Sequence, residues 1–267
     1  SCLSSSNLPI GQVIQGDCLE VMKTLPDESI DLIFTDPPYG VSYEQRGRKF
    51  KMRKIYGDTF EDLQDWFDPF VAECKRLLKK NTHAYFFAAF KYLDFSIPIV
   101  RKYLTYRNLI VVKKRHAGGI PFVDSLCFQS AYECIIFAEK GKRLPNTTST
   151  RSIPRHDGRS HNLYKRVLPN LITDMSATEF NLRLIHPTQK TEEISQRFVE
   201  YSSNEGDIVL DPFLGSGTTA IACEMLSRRW IGIEISREYV DIARMRLKQY
   251  VAQDRLDAFS NSEHLNT

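Results

Sequence analysis

Ile208-Val209-Leu210-Asp211-Pro212-Phe213-Leu214-Gly215-Ser216-Gly217-Thr218-Thr219 is the stretch that decides how this chain is built. Three apolar strand formers run into an acid and a proline. Two glycines follow, and then the helical pattern Thr218–Ser227 begins. That order reads as strand, tight turn, helix. The glycines let backbone approach a ligand closely, and a helix start offers unpaired amides. Glu234, 23 positions after Asp211, closes the next apolar strand, where a dinucleotide-type site carries an acid for ribose hydroxyls. The succession of strand, glycines, helix, strand and acid points to a nucleoside ligand. A phosphate-gripping P-loop is ruled out, because no Lys-Ser or Lys-Thr pair follows the second glycine. A plain glycine-rich turn is the bland alternative.

The same alternation extends outward. Candidate strands are Gln12–Gln15, Asp31–Thr35, Ala84–Ala88, Asn108–Val112, Glu133–Ala138, Ile208–Leu210 and Trp230–Ile235. Most are short and apolar on both faces, as strands covered on both sides are. Helical patterns lie at Leu19–Thr24, Leu63–Leu78, Thr191–Ser202, Thr218–Ser227 and Arg237–Tyr250. Pro69 falls inside the second and is expected to kink or split it. The reading is an α/β fold with a mostly parallel, seven-stranded sheet and helices on both faces. Gly141–Leu184, rich in Asn, Thr, Ser, Arg and Pro, interrupts the rhythm as an irregular insertion. The chain therefore divides into a first half (8–140), the insertion (141–184), a second half of the same domain (185–250) and a polar tail (251–267) expected to fray.

Composition agrees with a folded domain. Of 267 residues, 42% are hydrophobic and 26% charged, which excludes a fully disordered chain. No apolar run approaches the ~18 to 20 residues of a membrane span. Ser1–Asn7 has no basic region followed by an apolar one, so no secretory leader is expected, and the absence of an initiator Met reads as a trimmed start. The expected location is cytoplasmic. Six cysteines without a CxxC pair indicate neither a disulfide framework nor a zinc site, so no metal is expected.

A second constellation follows the strand Leu32-Ile33-Phe34: Asp36-Pro37-Pro38-Tyr39. It stands at the carboxyl end of a parallel strand, where open α/β sheets place their sites. Prolines donate no amide hydrogen, so the backbone there presents bare carbonyl acceptors. The array suits an NH2 group: Asp36 and the Pro37 carbonyl accept its two hydrogens while Tyr39 stacks on the attached ring. A proline-rich turn with a capping Asp is the alternative.

Both motifs together resemble the amino-methyltransferases that move a methyl group from S-adenosylmethionine to an exocyclic NH2 of a DNA base. In that family Asp-Pro-Pro-Tyr is the catalytic motif, which implies catalytic roles for Asp36, Pro37, Pro38 and Tyr39. The glycine run binds the methionine end of the cofactor, implying contacts from Asp211, Phe213, Gly215, Ser216, Gly217 and Thr218, with Asp36 beside them and Glu234 on the ribose. The catalytic motif precedes the cofactor motif by 175 positions, an order similar to the circularly permuted β class. His186-Pro187-Thr188-Gln189-Lys190 stands before the helix leading into the cofactor strand, and Gly16-Asp17 follows the first strand. The resemblance implies cofactor contacts from His186, Thr188 and Lys190, and from Asp17 to the adenine. Cys18 is a candidate lining residue, with packing the simpler reason for it. The fold implied is Rossmann-like, with the first half catalytic, the second cofactor-binding and the insertion used for target recognition. A homodimer and a companion restriction endonuclease are further implications.

The mechanism implied is direct in-line attack by the amine of a flipped-out base. Hydrogen bonds to Asp36 and the Pro37 carbonyl localise its lone pair, and positioning of this kind can be worth ~7 to 11 kcal/mol. DNA is the expected partner. Arg46, Arg48, Lys49, Lys51, Arg53 and Lys54 form an acid-free basic stretch just after the catalytic motif, suited to phosphates or simply to solvent. His83 reads as a packed histidine, and His116 and His156 as phosphate contacts or surface residues. The aspartate in the first motif position leans towards adenine N6. Cytosine N4, an RNA or protein-glutamine acceptor, a DNA-binding module without catalysis and a dinucleotide dehydrogenase are the competing readings.

Overall fold

The computed structural model describes residues 7–39, 59–113, 132–146, 171–172 and 192–264. Strands β1 (Gln12–Gln15), β2 (Ile30–Thr35), β3 (Leu78–Ala88), β4 (Thr105–Lys113), β5 (Tyr132–Lys140), β6 (Leu171–Ile172), β7 (Ile208–Asp211) and β8 (Arg229–Glu234) form one sheet. Its order is β1-β8-β7-β2-β3-β5-β4-β6. Helices α1 (Cys18–Met22), α2 (Phe60–Leu77), α3 (Leu93–Tyr103), α4 (Glu192–Ser202), α5 (Thr218–Met225) and α6 (Arg237–His264) lie between the strands in sequence. The seven expected strands are present, and β6 adds a two-residue eighth at the edge. The sheet is parallel except at β5, which runs against both β3 and β4.

Alternation of side chains sorts the sheet into two covered faces. On one, Ile33, Leu210, Ile231, Ile233, Ala84 and Phe86 pack with α1, α2 and α3 through Met22, Phe67, Phe70, Cys74 and Val100. On the other, Leu32, Phe34, Val209, Trp230, Tyr85 and Phe87 pack with α4, α5 and α6 through Phe198, Val199, Ala220, Cys223, Val240 and Ala243. Strands buried on both sides have little room for polar residues, which explains the unbroken apolar runs seen in the sequence.

Several expectations needed revision. Pro69 does not split α2, which runs unbroken from Phe60 to Leu77 behind a Thr59–Asp62 capping box. Pro69 and Asp65, whose carbonyl loses its partner, are both exposed, so water can satisfy that carbonyl. Helix α3 was not foreseen, because Ser96 and Pro98 interrupt its pattern, although Ser96 and Val100 are buried. The expected tail is helical instead: α6 continues to His264 through a stretch free of Gly and Pro. Most of the insertion, from Thr147, lies outside the described residues apart from β6. Its first residues are pinned, with the Asn146 side-chain amide donating to the Glu200 and Ser203 carbonyls of α4 and its end. No helix among the described residues is long and apolar enough to cross a membrane.

Candidate active site

Four parallel strands, β1, β8, β7 and β2, lie side by side, so their carboxyl ends share one edge of the sheet. Each end carries an acid. Across the sheet these are Asp17 just beyond β1, Glu234 closing β8, Asp211 closing β7 and Asp36 just beyond β2. The two outer acids come from the first 36 residues and the two inner ones from a single stretch near the other end of the chain.

The turn after β7 is held by backbone and carboxylate together. Leu214 N donates to the Ile233 carbonyl (2.8 Å), and Gly215 N to Glu234 Oε2 (2.9 Å). The other Glu234 oxygen accepts from Ser236 N at 2.8 Å. Burial raises the Glu234 carboxyl above its ordinary value, opposed by those amides. Gly217 sits at φ +90°, a left-handed conformation that favours glycine, and opens α5. An added Cβ there would meet Ala243 of α6 at 3.1 Å, whereas one on Gly215 would meet nothing within 4 Å. One side of the loop is thus packed against α6 and another is open.

Asp211 is buried beneath the loop and bonded from three directions. Its Oδ1 accepts from Thr35 Oγ1 at 2.9 Å and from Phe213 N at 3.1 Å, and its Oδ2 from Thr219 Oγ1 at 2.6 Å. Burial pushes its carboxyl up to about 7, and the three donors pull against that. Phe213 turns to the opposite face, 5.3 Å from the Trp66 ring and 5.4 Å from Phe70. The Trp66 indole N–H is buried and has no acceptor among the described residues.

In the Asp-Pro-Pro-Tyr segment, Thr35 and Pro37 are buried, while Asp36, Pro38 and Tyr39 are half-buried. The Tyr39 hydroxyl donates to Asp36 Oδ1, so the ring folds back on the carboxylate. Asp17 is exposed and caps α1, accepting from Glu20 N at 3.2 Å. Cys18 is half-buried, and burial pushes its thiol up to about 12. His186, Thr188 and Lys190, together with Arg46, Arg48, Lys49, Lys51, Arg53 and Lys54, lie outside the described residues, as do His116 and His156.

His83 is packed, as expected. Its Nε2 faces the Arg143 carbonyl at 3.3 Å, which can only accept, so that nitrogen carries the proton. Ser202 Oγ then donates to Nδ1 at 2.8 Å and takes the Tyr85 hydroxyl at 2.6 Å. Burial lowers the His83 imidazole to about 4. Among the described residues, no three His, Cys, Asp or Glu side chains group as metal ligands.

Two contributors escaped sequence reasoning. Thr35 supplies the hydroxyl that reaches Asp211, and its only local sign is its place before Asp36. Arg246, on α6, donates to the Ser216 carbonyl (2.6 Å), Ser216 Oγ (2.9 Å) and Thr218 Oγ1 (3.3 Å). Helical spacing from Ala243 sets it on the flank facing the loop.

The N6/N4 family model, described as DNA methylase, matches residues 30–245. The DNA adenine methyltransferase YhdJ of Escherichia coli (strain K12) is 32% identical over 247 residues, covering 88% of this chain and 82% of that protein. The type II methyltransferase M.HpaI of Haemophilus parainfluenzae is 31% identical over 243 residues, 88% of this chain and 74% of its own. Among solved structures, that of the M1.HpyAVI–SAM complex shares the fold, with a TM-score of 0.63 at 24% identity over 88% of this chain and 98% of that one.

Proposed function

Because this chain belongs to the N6/N4 DNA methylase family, we propose that it transfers the methyl group of S-adenosylmethionine to the N6 amine of adenine in DNA. The observation that carries the reading is the junction of the two motifs. Asp36 and the loop after Asp211, 175 positions apart in sequence, stand at the ends of neighbouring parallel strands and are linked by the Thr35–Asp211 hydrogen bond. A donor for methyl transfer and an acceptor amine need that adjacency.

The residues present suit the cofactor. The open side of Gly215, the exposed carboxylate of Asp17 and the unpartnered Trp66 N–H beside Phe213 offer room, an acceptor and a donor around the loop. Phe213, Gly215, Ser216, Gly217 and Thr218 would form the cradle. Asp211 and Glu234 would act from beneath by fixing its backbone, and His186, Thr188 and Lys190 would complete it as the family pattern has them. When bound, S-adenosylmethionine supplies an electrophilic sulfonium methyl group.

The chain's own contribution is to shape the nucleophile. Asp36 and the Pro37 carbonyl accept the two amine hydrogens and localise the nitrogen lone pair. The Tyr39 hydroxyl orients the Asp36 carboxylate, and its ring offers the flipped base a surface to stack on. The basic residues between Arg46 and Lys54 would meet the backbone phosphates. Adenine is favoured over cytosine by the aspartate at the first motif position and by the name of the YhdJ relative.

The test is mass spectrometry of nucleosides from unmethylated mixed-sequence duplex DNA incubated with the protein and labelled S-adenosylmethionine. Labelled N6-methyladenine that disappears in Asp36→Ala is expected. N4-methylcytosine would overturn the base assignment and keep the mechanism. No labelled base, with cofactor binding intact, would overturn DNA as the acceptor.

A further inference from the structure

The backbone pairing of β2 with β7 runs only through Leu32–Val209 and Ile33–Leu210. Past those pairs the two strand ends carry the parts that have to meet, Asp36 on one and the glycine loop on the other. What joins them there is a side-chain link, Thr35 Oγ1 to Asp211 Oδ1 at 2.9 Å. Thr35 is 1% exposed and Asp211 4%, so the bond is shielded from competing water. The same carboxylate takes Phe213 N in the turn and Thr219 Oγ1 in the first turn of α5. One buried group therefore registers the catalytic strand, the cofactor turn and the following helix against each other.

The identity of residue 35 bears this out. Ile30, Leu32, Ile33 and Phe34 of β2 are all apolar and buried. A valine would suit the last strand position for shape and strand preference. A buried hydroxyl costs free energy unless it is bonded, and this one is bonded across the site rather than to its own strand.

We infer that Thr35 is a positioning residue for methyl transfer, holding the strand end that bears Asp36 at a fixed distance from the cofactor loop through Asp211. The inference rests on the reading of the site proposed above. It separates from a purely stabilising role by what it leaves untouched. Loss of the hydroxyl frees the end of β2 from the cofactor loop while it stays paired with β3 through Thr35–Phe86, and Phe213 N and Thr219 still tie Asp211 to the loop. Cofactor binding should survive and the rate of the bound complex should not.

The test compares the full-length wild type with Thr35→Val, Thr35→Ala and Thr35→Ser. Calorimetry gives the stoichiometry and Kd of S-adenosylmethionine, and single-turnover transfer to mixed-sequence duplex DNA gives the rate at saturation. For Val and Ala the expected result is unchanged stoichiometry, a Kd within about threefold of wild type and a rate lowered about 10- to 100-fold, the cost of a misplacement near one ångström. Ser, which keeps the hydroxyl, should restore most of the rate. The inference is overturned if either deletion keeps the wild-type rate, or if the rate falls only in proportion to cofactor-binding stoichiometry. A wild-type protein that binds cofactor and methylates no DNA would instead overturn the reading of the site, and this inference with it.

Discussion

The buried Asp211 carboxylate gives the fold a pH dependence of unusual sign, and Asp211→Asn isolates it. Burial raises its carboxyl from an ordinary 3.8 to about 7 in the folded chain. An acid whose folded-state value is raised holds its proton more tightly when folded. Its contribution to stability is therefore full below about pH 4, declines as pH rises, and is spent once pH passes about 7. The slope is about 1.4 kcal/mol per pH unit, so the whole window amounts to on the order of 4 kcal/mol. Asparagine keeps an oxygen for Thr35 and Phe213 N, and its amide can donate to Thr219 once that hydroxyl turns. Urea unfolding of both proteins at pH 5, 6, 7 and 8 gives a difference in stability at each pH. His83 titrates in the same range with the opposite sign, since a lowered imidazole adds stability as pH rises from about 4 towards 6.5. Its partners, Ser202 and Arg143, lie outside the Asp211 network, so it cancels in the difference. Asn should gain about 2 to 3 kcal/mol over Asp between pH 5 and 8. A difference flat with pH would refute the reasoning, because Asp211 would then ionise when folded as readily as when unfolded.

Two further outcomes are expected. Arg246→Met removes a charged donor from the Ser216 carbonyl and both hydroxyls of the loop; hydrogen bonds to charged groups are worth about 1.5 to 3 kcal/mol, so the Kd for S-adenosylmethionine by calorimetry should weaken roughly tenfold, and an unchanged Kd would show that the loop holds its shape without α6. Phe198→Ala empties the space where α4 meets the Phe34 and Tyr85 rings, 5.9 and 4.8 Å away, and should cost about 3 to 5 kcal/mol in urea unfolding; a loss below about 1 kcal/mol would mean that α4 closes the gap.

Much of this architecture could be read in advance, because β2, β7 and β8 are apolar on both faces and their turns carry glycine, proline and acid. What stayed hidden depends on neighbours distant in sequence. Nothing local to Tyr132–Lys140 tells that β5 runs against the sheet, since its buried face looks the same in either direction. Helix α3 escaped because Ser96 and Pro98 break the apolar spacing, yet Ser96 is buried at the helix–sheet contact. The site shows the same divide. The chemistry of Asp36, Asp211 and Glu234 could be inferred from type and position. That Glu234 takes the Gly215 amide, and Asp211 a threonine from another strand, required the strand order. Thr35 and Arg246 act through partners 176 and 30 or fewer positions away, and beyond the place of Thr35 before Asp36 their own surroundings in sequence give no sign of either.

The first strand has a consequence for how the molecule is made. Among the described residues strand β1 pairs only with β8, Gln12 opposite Ile231 through Gln15 opposite Glu234, and Arg244 of α6 holds the Val13 carbonyl at 2.9 Å. During synthesis β1 leaves the ribosome without its neighbour. At about 5 to 20 residues per second, the 219 positions from Gln12 to Ile231 take roughly 10 to 40 seconds. Over that interval Asp17, the cap of α1, lacks the strand that sets it beside Glu234, and the nascent chain can hold the Asp36 strand against β3 well before it can hold a nucleoside. The row of acids closes from its Asp36 end towards Asp17, whose strand is made long before the partner that completes the row.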